Sequence, residues 1–142
     1  MTPPPDILVV DDDEIDVLNV RRALKHLGIA GEIGVASDGI EALAVVRSQP
    51  AKARPQLVLL DLNMPRMNGI EFLREIRRSD ELKSLHVVVL TTSDDPEDIR
   101  EAYDLNVAGY VLKPLEYRDF VGAMQTITDF WMLIETPGSV AR

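Results

Sequence analysis

Five side chains of this sequence have the types and the placing to do chemistry: Asp11, Asp12, Asp61, Thr91 and Lys113. Each follows a short apolar run. Ile7-Leu8-Val9-Val10 leads into Asp11-Asp12-Asp13, and Leu57-Val58-Leu59-Leu60 leads into Asp61. Val87-Val88-Val89-Leu90 leads into Thr91-Thr92-Ser93, and Tyr110-Val111-Leu112 leads into Lys113-Pro114. Carboxylates gathered at one place repel unless a cation neutralises them or one keeps its proton. Oxygen donors without His or Cys favour a hard ion such as Mg²⁺. The chain has no cysteine, which removes thiolate metal sites, disulfides and cysteine nucleophiles together. A hydroxyl and an ammonium beside such carboxylates suit a phosphoryl group.

Each residue also has an ordinary reading. An acid-rich stretch from Asp11 to Asp16 can be a solvated helix start that complements the helix dipole. That reading is preferred for Asp13, Glu14 and Asp16, whereas Asp11 and Asp12, directly at the strand end, take the metal reading. Asp61 alone could be a turn residue, Thr91 a cap for the next helix, and Lys113 a solvated surface charge. Asp61 gains weight from Leu62-Asn63-Met64-Pro65, where a backbone carbonyl can complete a metal's oxygen shell and Gly69 permits a tight reversal. Lys113 gains it from the three apolar residues before it and from Pro114, which restricts its backbone and admits a cis bond.

The elements that must position these residues follow from periodicity. Runs of four or five Val, Leu and Ile residues are buried parallel strands, and ligands bind at the carboxyl ends of such strands. Residues 14–27 carry Val17, Val20, Leu24 and Leu27 at helical spacing, ended by Gly28. A weaker strand spans 32–36. A helix then starts at Ser37-Asp38-Gly39, with either Ser37 or Asp38 as N-cap and Ile40, Leu43, Ala44 and Val46 along it. Pro50 and Pro55 bracket a loop. Ile70, Leu73 and Ile76 define the third helix, and Asp95-Pro96 starts a fourth with Ile99, Ala102 and Tyr103. The last helix runs from about 116 to 134, with Phe120, Ala123, Met124, Ile127, Phe130, Trp131 and Ile134 on one stripe. Five βα units with right-handed crossovers give an α/β, doubly wound, five-stranded parallel sheet of flavodoxin-like (βα)5 type, strand order 2-1-3-4-5. That order sets Asp11 and Asp12 beside Asp61. The expected organisation is an extended lead-in over 1–6, one domain over 7–135 and a tail over 136–142.

The bulk properties agree. A chain of 142 residues with 46% hydrophobic content suits one globular domain. A net charge of −9 opposes nonspecific attraction to nucleic acid or anionic membranes. The N-terminus lacks the pattern of a secretory signal, and no apolar run reaches the roughly 20 residues of a membrane helix. The expectation is a cytoplasmic protein that binds neither nucleic acid nor membrane.

Asp11-Asp12, Asp61 within Asp-Leu-Asn-Met-Pro-Arg-Met-Asn-Gly, Thr91 and Lys113-Pro114, in this order and spacing, resemble the receiver domain of two-component response regulators. The likeness covers nearly the whole chain. It implies that Asp61 accepts a phosphoryl group from a partner histidine kinase and that the protein catalyses only its own phosphorylation and dephosphorylation. It implies Mg²⁺ held by Asp12, Asp61 and the Asn63 carbonyl, with Asp11 acting through water. Thr91 and Lys113 would contact the phosphoryl oxygens. Tyr110 matches the aromatic switch position that works with Thr91, and Asn63 and Ser93 match positions that tune hydrolysis. Thr92 departs from the pattern, standing where many receivers have alanine, and would narrow access to the site. Leu-Thr-Thr-Ser at the end of strand four and Asp129-Phe130-Trp131-Met132-Leu133 near the terminus resemble the small receivers that partner bacterial and cyanobacterial phytochromes. With no effector domain expected after 135, output would pass through protein contacts. The expected surface is the face of the fourth helix, fifth strand and last helix, including a homodimer.

Three other readings compete. A Mg²⁺-dependent phosphatase with an Asp nucleophile uses a second aspartate two residues on, where this chain has Asn63. A nucleotide- or flavin-binding domain needs a phosphate loop after strand one, where Asp-Asp-Asp-Glu would repel phosphate. A scaffold receiver would work without phosphorylation, although every phosphorylation position here carries the required residue type.

Overall fold

The computed structural model describes residues 7–29, 33–50 and 54–133. The lead-in and tail expected at the two ends, with Glu32 and Ile134, lie outside them. Strands β1 (Ile7–Val10), β2 (Ile33–Ala36), β3 (Leu57–Leu60), β4 (Val87–Thr91) and β5 (Gly109–Leu112) alternate with five helices. These are α1 (Glu14–His26), α2 (Gly39–Ser48), α3 (Gly69–Arg78), α4 (Pro96–Asp104) and α5 (Tyr117–Leu133). All pairings are parallel, in the order β2-β1-β3-β4-β5.

Alternation along the strands divides the core between the two sheet faces, because successive side chains point to opposite sides. Leu8, Val10, Val58, Leu60, Val87 and Val89 pack with residues of α2 and α3 and with Ala102 of α4. Ile7, Val9, Leu57, Leu59, Val88 and Leu90 pack with α1 and α5 on the other face. A strand covered on both faces must be apolar along its buried length, and β1, β3 and β4 as far as Leu90 are.

The helices start where the sequence carries caps. Asp13 accepts from the amides of Ile15 and Asp16, and Asp38 from that of Glu41. Asn68 and Glu71 form a reciprocal capping box. Asp95 accepts from Glu97, with Pro96 in the first helical position. The choice between Ser37 and Asp38 falls to Asp38, which is buried and also takes Nε of Arg66 at 2.7 Å.

Periodicity overestimates burial at the helix edges. Ile40, Tyr103 and Phe130 are half exposed, and α4 buries only Ala102. On α5 the stripe facing the sheet is Phe120, Met124, Ile127 and Trp131, and Phe130 sits one position round the helix from it. Conversely, Phe72 is fully buried beside Leu73 and Ile76, so α3 presents a wider apolar face than its periodic residues suggest.

Candidate functional site

The register of the sheet assembles the site. Val10 pairs with Leu60, and the Asp61 amide donates to the Val10 carbonyl at 2.9 Å, so Asp11 and Asp61 leave adjacent strands side by side. Thr91 pairs with Leu112, and the Lys113 amide donates to the Thr91 carbonyl at 2.8 Å. Four strand ends thus deliver three kinds of functional group to one edge. The β3–α3 connection is fixed by contact. A Cβ on Gly69 would come 2.5 Å from the Asp61 carbonyl oxygen, so only glycine allows this approach. Gly39 meets Met67 the same way, at 2.8 Å from its carbonyl oxygen, which ties this loop to the start of α2.

Asp61 is 7% exposed and already surrounded by donors. Its Oδ1 accepts the Thr91 hydroxyl at 2.8 Å and the Asn63 amide at 3.3 Å, and its Oδ2 accepts Nζ of Lys113 at 3.2 Å. Lys113 also donates to Asp11 at 2.8 Å and to Asp16 at 2.7 Å. Burial alone would lower the Lys113 ammonium. Hydrogen bonds to Asp11 and Asp16 and the charges of Asp11 and Asp61 override that, so it lies well above its ordinary value and stays charged. For Asp11 the balance tips the other way. Burial pushes its carboxyl up to about 6, against lowering by Lys113 and by the Asp13 amide.

Asp11, Asp12 and Asp61 each offer an oxygen within 4.8 Å of the others. Asp12 is exposed, and no hydrogen-bond donor among the described residues engages its carboxylate. Three carboxylates converging with a single lysine ammonium on two of them carry excess negative charge and fit a hard divalent ion, which takes oxygen ligands in this way. Asp12 and Asp61 line an open cleft of about 630 Å³ together with Asp16, Asn63, Thr92 and Lys113.

The other expected residues divide. Thr92 and Asn63 are exposed at the cleft, whereas Ser93 is not part of it. The Ser93 hydroxyl donates to Asp98 at 2.6 Å, its amide to Thr91 Oγ1 at 3.3 Å, and its carbonyl accepts the Tyr110 hydroxyl at 2.7 Å. Ser93 therefore bridges Thr91 to Tyr110. The partly buried Tyr110 ring and its acidic neighbours raise its phenol above the ordinary value, burial contributing most. The Lys113–Pro114 bond is trans, as are all described peptide bonds, so the cis form admitted by the sequence is not adopted. Asp16 corrects an expectation. The sequence reads it as part of a solvated helix start, yet it makes the shortest bond to Lys113, across 97 positions of sequence. No local pattern could have revealed that pairing. Asp13, by contrast, is the helix cap its position suggests.

The sequence pattern of the response regulator receiver domain matches residues 7–125. The chain is 38% identical over 133 residues to the response regulator Rcp1 of Synechocystis sp., covering 92% of this chain and 90% of that one. It is 38% identical over 128 residues to a probable methanogenesis regulatory protein, FilR2, of Methanothrix harundinacea, covering 89% of this chain and 83% of that one. Among solved structures, the phosphorylated cyanobacterial phytochrome response regulator RcpA superposes with a TM-score of 0.85 at 36% identity, covering 94% of this chain and 97% of that one. The Mn²⁺-bound form of Rcp1 gives 0.83 at 38% identity, covering 94% and 98%.

Proposed function

We propose that this chain, which belongs to the response regulator receiver family, accepts a phosphoryl group on Asp61 from a histidine kinase and passes the signal on by protein contact. The observation that carries this reading is the state of Asp61: a buried carboxylate held by Thr91 and Lys113, beside a second carboxylate, Asp12, with no partner among the described residues. Asp61 is the nucleophile. Its oxygen attacks phosphorus, the bond from phosphorus to the kinase imidazole nitrogen breaks, and the imidazole keeps the electron pair. Hydrolysis of the resulting acyl phosphate by water returns the carboxylate and inorganic phosphate.

Asp12 and Asp61, with the Asn63 carbonyl, would hold Mg²⁺, and Asp11 would act through water. The Mn²⁺-bound form of Rcp1 supports a divalent cation here. When bound, the ion neutralises charge on the phosphoryl oxygens. Lys113 supplies a fixed positive charge and Thr91 a hydroxyl donor to the same oxygens. Thr92 and Asn63, at the cleft, restrict the approach of water and so set the phosphoryl lifetime. Ser93 contributes through Thr91 instead. On phosphorylation Thr91 swings toward the new group and Tyr110 leaves Ser93 to turn inward.

That movement reshapes the α4-β5-α5 face. Leu115, at 103% exposure, and the half-exposed Tyr103, Leu112 and Phe130 are large apolar side chains that these elements and the β5–α5 connection leave open to solvent. We infer that two phosphorylated copies pair there, so sedimentation should show a dimer with beryllofluoride and Mg²⁺ and a monomer without. A monomer under both conditions would sink this part. The names of RcpA and of a bacteriophytochrome response regulator of matching fold support a phytochrome-type kinase as partner.

The test of the whole reading is intact-protein mass after incubation with acetyl phosphate. Addition of one phosphoryl group should require both Mg²⁺ and Asp61 and be lost in Asp61→Asn. No adduct, together with no beryllofluoride binding, would leave a phosphorylation-independent scaffold.

A further inference from the structure

The Lys113 ammonium has three N–H donors, and three carboxylates from three elements consume them. Asp16 takes one at 2.7 Å, Asp11 one at 2.8 Å and Asp61 the third at 3.2 Å. The bond to Asp61 is the longest of the three. Asp16 is not part of the cluster formed by Asp11, Asp12 and Asp61. We propose that Asp16 is a positioning residue for phosphoryl transfer: it anchors Lys113 so that one N–H stays directed at Asp61. This rests on the reading of Asp61 as the phosphoryl acceptor.

Lysine is a flexible four-carbon stem ending in a point charge, so it directs a donor only where its head is held. One anchor leaves the head free to swivel, and two from different directions do not. Asp11 comes from the end of β1 and Asp16 from the first turn of α1. A cation drawing on Asp11 would weaken the first anchor and leave the second intact. Asp16 is itself well placed to hold still. It lies in the first helical turn, where a carboxylate complements the helix dipole, and its amide is held by the Asp13 cap. An ordinary surface ion pair would join two exposed groups, but here the lysine side chain is 7% exposed.

The test is the initial rate of Asp61 phosphorylation by acetyl phosphate at saturating Mg²⁺, across donor concentrations, for wild type, Asp16→Ala and Asp16→Asn. The asparagine keeps an oxygen acceptor and loses the charge. We expect the alanine variant to lose roughly tenfold in maximal rate, with little change in half-saturating donor concentration, as misdirection of a catalytic group does. The asparagine variant should keep most of the rate. An alanine variant at the wild-type rate would overturn the proposal. So would both variants running faster than wild type, which would make Asp16 a charge that restrains the site. If the alanine variant loses the α1 helix, Asp16→Ser takes its place under the same criteria. A wild type that takes no phosphoryl group would instead bring down the assignment of Asp61, and this inference with it.

Discussion

Thr91 and Lys113 approach Asp61 from opposite oxygens, and the two side chains differ in what they can lose. The Thr91 hydroxyl is fully buried and donates a hydrogen bond to Oδ1 of Asp61. Thr91→Ser keeps the oxygen and should keep most of the phosphorylation rate. Thr91→Ala removes one buried donor and should lower that rate by about a hundredfold, in line with other removals of a single oxyanion donor. Equal rates for the two variants, read by phosphoprotein mass against time, would show that the hydroxyl is not used. Lys113 carries its charge well above neutral pH because the carboxylates around it outweigh its burial, so its contribution should not titrate between pH 6 and 9, roughly the working range of such assays.

The elements matter by how firmly they hold the loops. The β3–α3 loop is closed at one end by Gly69 against Asp61 and Leu62, and at the other by Gly39 against Met67. Arg66 adopts a left-handed backbone (φ 63°), at some cost for a residue other than glycine, and its guanidinium pairs with buried Asp38. The Glu41 amide first, and then Arg66, hold the Asp38 carboxyl below its ordinary value. Behind this loop, α3 buries Ile70, Phe72, Leu73 and Ile76 against the sheet. Phe72→Ala should cost about 3–5 kcal/mol in urea unfolding, as deletion of a fully buried aromatic does. A loss below about 1 kcal/mol would mean that the site collapses around the gap. Arg77 joins α3 to the far ends of the neighbouring elements by donating to the carbonyls of Lys83, Leu85, Leu105 and Asn106. Its burial lowers its pKa without removing its charge.

For the molecule as a whole, acid stability has contributions of opposite sign. His86, just before β4, packs edge-on against Trp131 of α5 with ring centroids 4.9 Å apart. Burial first, and then the charge of Arg77, hold its imidazole below the ordinary value of 6.5. The folded chain therefore binds this proton less readily than the unfolded chain. The stability so gained is full above 6.5 and is lost as pH falls from there through the folded value. Asp11 acts with the opposite sign, since its folded carboxyl lies at about 6, above its ordinary value of 3.8, and protonation favours the fold. Comparison with His86→Phe isolates the histidine. Urea midpoints should fall less for the variant than for wild type between about pH 8 and pH 5.5. An identical fall would place the acid sensitivity elsewhere. A net charge of −9 adds self-repulsion between copies, so any dimer should strengthen as salt is raised.

The order of elements, the strand order, the strand-end aspartates and the helix starts at Ser37-Asp38 and Asp95-Pro96 were legible in the sequence because each depends on local chemistry. A buried strand must be apolar, a helix must satisfy its first amides, and a parallel sheet must cross over with one hand. The family's motif then linked Asp61, Thr91 and Lys113 across distances that periodicity does not reach. What the tertiary structure decided was pairing and depth. It placed Asp16 on Lys113, Ser93 between Thr91 and Tyr110, and Arg66 on Asp38. It also turned Phe130 and Tyr103 outward and Phe72 in. Helical periodicity fixes only the direction a side chain leaves its own helix. Which neighbour it meets depends on where packing sets the other elements, and no single segment contains that information.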